Sequence, residues 1–277
     1  MKTIFEITGD SFSLKEETLK INYAFENAKT MGEFSPTFTI KEYIDRFLFI
    51  QWNHRGLCFT IDEFLKVIAK NIKDKNNFHE MFDFLYIEFI YNMIELLNMK
   101  DESIFDHNKI GEAILNNINI ILEKTCREIH ETDDFKYIII DKDPNIVAVS
   151  NVLQTNSKVQ PVLEYTHLMT QGDLRLKKSL LIEMAHDFEP KRTRLESKGN
   201  QFTTLASRLG EMLNVLNLRH NTIEGNLELP KVANMPPEEL EVWYDRTYKL
   251  YLLAVLAFDF DDSRNEIKTF LEEIRKK

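Results

Sequence analysis

Three features of the sequence predict a mainly α-helical protein built as a helical bundle. Glycine (8) and proline (7) are scarce in 277 residues, too few for the many tight turns of an all-β fold. Apolar residues recur at three- and four-residue spacing along most of the chain, the period of amphipathic helices. Helix-capping signals recur between the apolar stretches. The hydrophobic fraction of 43% supports a substantial core in one large or two modest domains.

Residues 1–36 are the least regular. Residues 3–7 and 19–25 have some strand character, which leaves room for a small N-terminal β element. Thr39-Ile40-Lys41-Glu42 reads as a capping box, in which the threonine hydroxyl accepts from the N3 amide and the glutamate reaches back. A helix follows to about Ile50, and Trp52-Asn53-His54-Arg55-Gly56 reads as its end and a turn. Thr60-Ile61-Asp62-Glu63 opens a second helix to about Ile72. Residues 76–99 carry Phe78, Met81, Phe82, Leu85, Phe89, Met93 and Leu96 on one stripe. Ser103 or Asp106 starts another helix, predicted to reach Ile129. Residues 136–140 are a short β-branched run, either a brief strand or a buried helix start. Asp143-Pro144 supplies an N-cap and a proline at N1 for a helix to Leu153.

The polar stretch 154–158 is the expected boundary, dividing a mostly helical region 1–157 from a helical bundle 158–277. The bundle is predicted as helices over 161–169, from Asp173 to before Pro190, over 200–218, from Pro236 to about Phe260, and from Asp261, Asp262 or Ser263 onward. Acids in the first turn after Pro236-Pro237 and Arg275-Lys276-Lys277 at the last helix's end both suit the helix dipole.

Composition narrows the function. The formal net charge is −10, which disfavours non-specific binding to a nucleic-acid backbone. The charge is uneven: residues 1–160 hold 18 Lys+Arg against 26 Asp+Glu, and residues 161–277 hold 17 against 19. A local basic surface therefore fits the C-terminal half better. Cys58 and Cys126 lie far apart without metal-ligand spacing, so free thiols are expected rather than a disulfide framework or zinc knuckle. The start of the sequence lacks a signal-peptide core, and no run reaches the roughly 18 apolar residues of a membrane span. A cytoplasmic protein with no membrane association is the expectation. There is no phosphate-binding GxxxxGK[ST] loop, GxGxxG turn, HExxH helix or GxSxG elbow. Neither a cofactor nor a metal is expected.

The densest polar chemistry is Leu218-Arg219-His220-Asn221-Thr222-Ile223-Glu224-Gly225. It follows the stripe Phe202, Leu205, Leu209, Met212, Leu213 and Leu216, so helical continuation would carry Arg219 toward the buried face. An arginine there needs a partner, and Glu224 is a candidate. One reading is a polar Arg-His-Asn-Glu corner bracing two helices. The other is metal-independent RNA cleavage, which needs a base for the 2′-hydroxyl, a cation for phosphoryl charge and a polar orienting group. His220, Arg219 and Asn221 are those residue types, with Glu224 beside them. Lys191, Arg192, Arg194 and Lys198 form the one basic cluster of note, at a helix break, and are the candidate RNA contacts. Glu183, His186 and Asp187 share a helix but have no second cluster at ligand spacing.

A C-terminal run of four or five helices, with Arg-His-Asn at a junction after a long amphipathic helix, resembles the HEPN superfamily. Those small helical-bundle domains are often dimeric and frequent in prokaryotic toxin and phage-defence (abortive-infection) proteins, and many are ribonucleases. The resemblance covers about residues 158–277. The family pattern is an arginine, usually followed by a polar residue, with a histidine about five to seven positions on. Arg219 with Asn221 fits the first half; Glu224, Gly225 and Asn226 occupy the histidine window, and the histidine sits beside the arginine instead. The resemblance implies a homodimer acting on RNA. The alternative is a non-catalytic helical protein that binds a protein partner.

Overall fold

Serine at position 13 opens the first helix of the described residues, accepting from the Glu16 amide and capping α1 (Leu14–Asn27). The structure, a computed structural model, describes residues 12–29, 38–100, 109–132, 136–153, 156–219, 232 and 234–275. It is mainly helical, and the chain divides into two compact units, 1–141 and 142–277.

In the first unit, α1 buries Thr18, Ile21 and Phe25 along one face. Residues 19–25 are therefore helical rather than extended, because their apolar side chains fall at helical spacing and a good cap precedes them. Residues 3–7 lie outside the described residues. Thr39 and Glu42 form the expected capping box for α2 (Ile40–Tyr43). The chain then widens into a π-helical turn (Ile44–Leu48) and tightens into 3₁₀ turns (Phe49–Gln51, Asn53–Arg55). After α3 (Ile61–Asn71) comes α4 (Phe78–Lys100), which buries residues on nearly every side. Phe25, Phe49, Trp52 and Phe64 gather around its Phe89 at edge-on or tilted angles.

The next described helix, α5 (Lys109–Lys124), stops before the predicted Ile129, and its predicted start at Ser103 or Asp106 lies outside the described residues. Cys126 takes φ 54° and turns the chain into β1 (Arg127–Glu131), which pairs antiparallel with β2 (Tyr137–Asp141) in register Ile129↔Ile139. The β element thus lies at the end of this unit, and the run 136–140 is a strand. The α4 helix completes it. Asn92 Nδ2 donates to the Tyr137 carbonyl at 2.7 Å, the Tyr137 amide donates to Asn92 Oδ1 at 2.9 Å, and the Ile139 amide donates to Glu88 Oε2 at 2.6 Å. Side chains four apart on a helix rise about 6 Å, close to the ~6.6 Å between alternate strand residues. Two helix side chains therefore stand in for a third strand.

The second unit begins with α6 (Pro144–Leu153), whose first turn is held by Asp143 accepting from the Asn145 amide. Ile146 and Val149 of α6 are buried in this unit, so this helix belongs with the bundle that the sequence reading began only at 158. The polar stretch around 156–158 is helical, in α7 (Asn156–Thr166), and Pro161 sits inside that helix. Asp173 caps α8 (Leu174–Phe188) as expected. A 3₁₀ turn (Glu189–Lys191) and the short α9 (Arg192–Glu196) lead to α10 (Asn200–Val215).

The last helix, α11 (Pro237–Arg275), runs 39 residues without the break expected at 261–263. No glycine or proline interrupts it after Pro237, and Asp261 is buried in mid-helix between Arg194 and Lys198 instead of capping a new one. Tyr165 stacks on Tyr248 with ring centroids 4.3 Å apart, and Phe188 meets Phe258. Lys177 is buried yet bridged to Glu241 (2.9 Å) and Asp245 (2.6 Å), with the Tyr165 hydroxyl donating to the same Asp245. This satisfied network ties α7 and α8 to α11. Among the described residues no helix is long and apolar enough to cross a membrane.

Candidate functional site

Leu218 and Arg219 are positioned by how α10 ends. Leu216 closes the helix, Asn217 adopts the left-handed conformation at φ 52°, and two backbone bonds lock the turn. The Asn217 amide donates to the Asn214 carbonyl at 3.1 Å, and the Leu218 amide reaches the Leu213 carbonyl at 2.8 Å. This is a Schellman motif, with asparagine in the position where glycine is usual. Leu218 is completely buried, so it anchors the departing chain in the core.

The helix therefore stops three residues short of the predicted 218, and Arg219 does not continue its buried face. Arg219 instead pairs with Glu189 at 2.9 Å, its side chain 36% exposed. Glu189 caps the C-terminal end of α8, its amide donating to the Ala185 carbonyl. Its Oε1 is buried and meets no hydrogen-bond partner among the described residues. Glu189 is thus a partner of Arg219 that the sequence reading did not name. His220, Asn221 and Glu224 lie outside the described residues.

Each cation of the basic cluster is engaged with a carboxylate of the same unit. Lys191 Nζ donates to both Asp187 oxygens at 2.8 and 2.9 Å. Arg192 Nε bonds Glu196 at 2.7 Å, and its guanidinium lies where a Cβ on Gly210 would fall, 2.3 Å from Nη1. Arg194 grips Asp261 at 2.9 Å and also bonds Asp262. Lys198 reaches Asp261 at 3.2 Å. The four cations are near neighbours in sequence but do not share one surface: Lys191 and Arg194 line a pocket, and Arg192 packs between α9 and α10.

That pocket has a volume of about 210 Å³ and lies within the second unit. Val152, Leu153, Val255 and Phe258 form its apolar wall, while Lys158, Lys191, Arg194, Asp259 and Asp262 supply charge. Asp187 ties its cations together, pairing with Lys158 at 3.2 Å, with Lys191, and accepting from the Tyr251 hydroxyl at 3.3 Å. Burial pushes the Asp187 carboxyl up, but hydrogen bonds and charge from Lys191 and Lys158 outweigh it and hold the group below its ordinary range. Burial also raises the Tyr251 phenol, and Asp187 adds to the effect, so this hydroxyl stays a proton donor. Asp187 and Glu189 are two residues apart at the end of α8, about 200° around a helix. The pocket and Arg219 therefore lie toward different sides of that helix end.

Sequence reading missed Glu189, Asp261 and Asp262 as partners of the basic residues and Lys158 and Tyr251 as partners of Asp187, and took Asp187 only together with Glu183 and His186. All but the i,i+4 pairs Lys191–Asp187 and Arg192–Glu196 join distant segments, which leave no periodic trace. Among the described residues no group of three or more His, Cys, Asp or Glu is arranged to hold a metal ion. The Asn53–Arg55 turn is a local clamp: Arg55 donates to the carbonyls of Ile50, Gly56 and Cys58. No protein-family model matches the chain, and no curated protein or solved structure matches it.

Proposed function

We propose that the second unit is a HEPN-like module of a prokaryotic defence or toxin-type protein and cleaves RNA without a metal at Arg219, His220 and Asn221. The observation that supports this reading is the setting of Arg219. A Schellman turn, a buried Leu218 and Glu189 fix its direction, yet about a third of the side chain remains open to solvent. A cation held in place but still accessible can stabilise charge developing on phosphoryl oxygens without reorganising. In the proposed reaction His220 takes the 2′-hydroxyl proton, the 2′-oxygen attacks phosphorus, and the P–O5′ bond breaks. The O5′ leaving group then takes a proton from water, His220 returns its proton to solvent, and a 2′,3′-cyclic phosphate remains. Asn221 orients the phosphate or the imidazole, and Glu224 supports the same cluster.

A second reading has its own observation. Lys191, Arg192, Arg194 and Lys198 are all neutralised by carboxylates, as in a helical interaction protein that binds no nucleic acid. Labelled RNA incubated with the wild-type full chain, Arg219→Ala and His220→Ala separates the two. The RNA-cleaving reading expects cleavage by wild type and a loss of at least ~100-fold in each variant, the scale of one general base or one charge-stabilising donor. Equal cleavage by all three, or none by wild type, would overturn it.

A further inference from the structure

One wall of the pocket in the second unit comes from α11. Val255, Phe258, Asp259 and Asp262 line it at i, i+3, i+4 and i+7 spacing, so they share one helix face. That face changes from apolar to acidic within about 10 Å of helix. Val152 and Leu153, at the end of α6, add to the apolar lining. Cations from three other segments complete the pocket: Lys158 of α7, Lys191 of the 3₁₀ turn and Arg194 of α9. The Phe258 ring lies 5.9 Å from Lys191 Nζ and 5.7 Å from the Arg194 guanidinium, so the cations border the apolar surface directly.

We infer that this pocket binds a free apolar α-amino acid of about leucine size, held as a zwitterion. The lining cations keep donors for its carboxylate. Lys158 meets a single Asp187 oxygen, and an ammonium has three donors. Arg194 engages its aspartates through Nε and Nη2, which leaves the Nη1 hydrogens. The ligand's ammonium falls to Asp259, which lines the pocket and meets no counter-charge among the described residues. The apolar side chain lies against Val255, Phe258 and the end of α6. Charge balance selects a zwitterion over a simple anion. Asp187, Asp261 and Asp262 already answer the cations, so a net anion would meet Asp259 and Asp262 without compensation.

Size narrows the ligand further. A volume of about 210 Å³ is below the ~300 Å³ at which pockets begin to enclose drug-sized molecules. It equals roughly seven waters at ~30 Å³ each. That space admits a single amino acid and is too small for a nucleotide. The inference does not rest on RNA cleavage. Binding is read without RNA, and the pocket and Arg219 lie toward different sides of the α8 end, so either proposal can fail while the other stands.

Isothermal titration of the full chain with L-leucine tests it. The expected dissociation constant is about 0.1 mM. Glycine, which lacks the apolar side chain, 4-methylpentanoate, which lacks the ammonium, and L-leucinamide, which lacks the carboxylate, each bind at least ~10-fold more weakly. Asp259→Asn weakens leucine by ~10-fold or more but does not weaken 4-methylpentanoate, which has no ammonium to lose. Lys158→Met weakens leucine but not leucinamide. Both substituted positions are exposed, and a purely structural effect would weaken every ligand alike. No binding of L-leucine at about 10 mM, leucinamide or 4-methylpentanoate bound as tightly as leucine, or wild-type leucine affinity in Asp259→Asn would each overturn the inference.

Discussion

Asn217 carries more of the site than its polarity suggests. At φ 52° it sits where an ordinary L residue costs about 1–2 kcal/mol and where glycine or asparagine is tolerated. The expected outcome is that Asn217→Gly leaves urea stability within a few tenths of a kcal/mol, whereas Asn217→Val loses about 1–2 kcal/mol. A valine variant as stable as wild type would show that the turn before Arg219 is not constrained. Two carboxyls of the second unit contribute to the acid limit. Hydrogen bonds from Arg194, reinforced by Lys198, hold Asp261 below its ordinary range. At Asp187 burial raises the group, and Lys191 and Lys158 more than reverse it. Depressed folded-state values mean that their stabilisation is complete above the unfolded pKa near ~3.9 and is lost as pH falls through the lower folded values. Denaturant midpoints should therefore be insensitive to these groups from pH 7 to 5 and fall below about pH 4. Asp187→Asn combined with Asp261→Asn should give a shallower fall. An acid limb of unchanged slope in the double variant would contradict this assignment.

Individual elements show the same dependence on distant partners. The β2 edge is closed by Asn92 and Glu88 of α4, so Asn92→Leu strands the Tyr137 amide and carbonyl. A loss of roughly 1–3 kcal/mol is expected by chemical denaturation, and a neutral substitution would argue that the strand edge is satisfied otherwise. Elements whose cause is local were legible in the sequence. The Thr39 and Thr60 caps, the Asp143-Pro144 start and the Asp173 cap appear where side-chain chemistry within three residues dictates them. Elements decided by tertiary contact were not. Residues 19–25 read as strand-like until Ile21 and Phe25 found a common buried face. Residues 261–263 read as a cap until Arg194 and Lys198 claimed Asp261. Of the candidate site, Arg219 was legible from its polar neighbours, but Glu189 was not, because nothing in the spacing joins the end of α8 to the end of α10.

For the whole molecule, two compact units share an acidic chain, and the basic cluster Lys191, Arg192, Arg194 and Lys198 of the second unit is neutralised by that unit's own carboxylates. RNA engaged at Arg219 therefore gains little from a broad electrostatic field, and binding should lose less affinity with salt than a protein contacting six or more phosphates does. Chemistry, rather than affinity, separates the proposed activity from a purely structural corner. The most direct measurement is the fate of a labelled RNA incubated with the full chain in EDTA, beside the same oligonucleotide carrying 2′-deoxyribose at the cleaved position. Cleavage of the RNA with a 2′,3′-cyclic phosphate end and no cleavage at the deoxy position is the expected result. Cleavage that requires added metal, or that proceeds equally at the deoxy position, would contradict it.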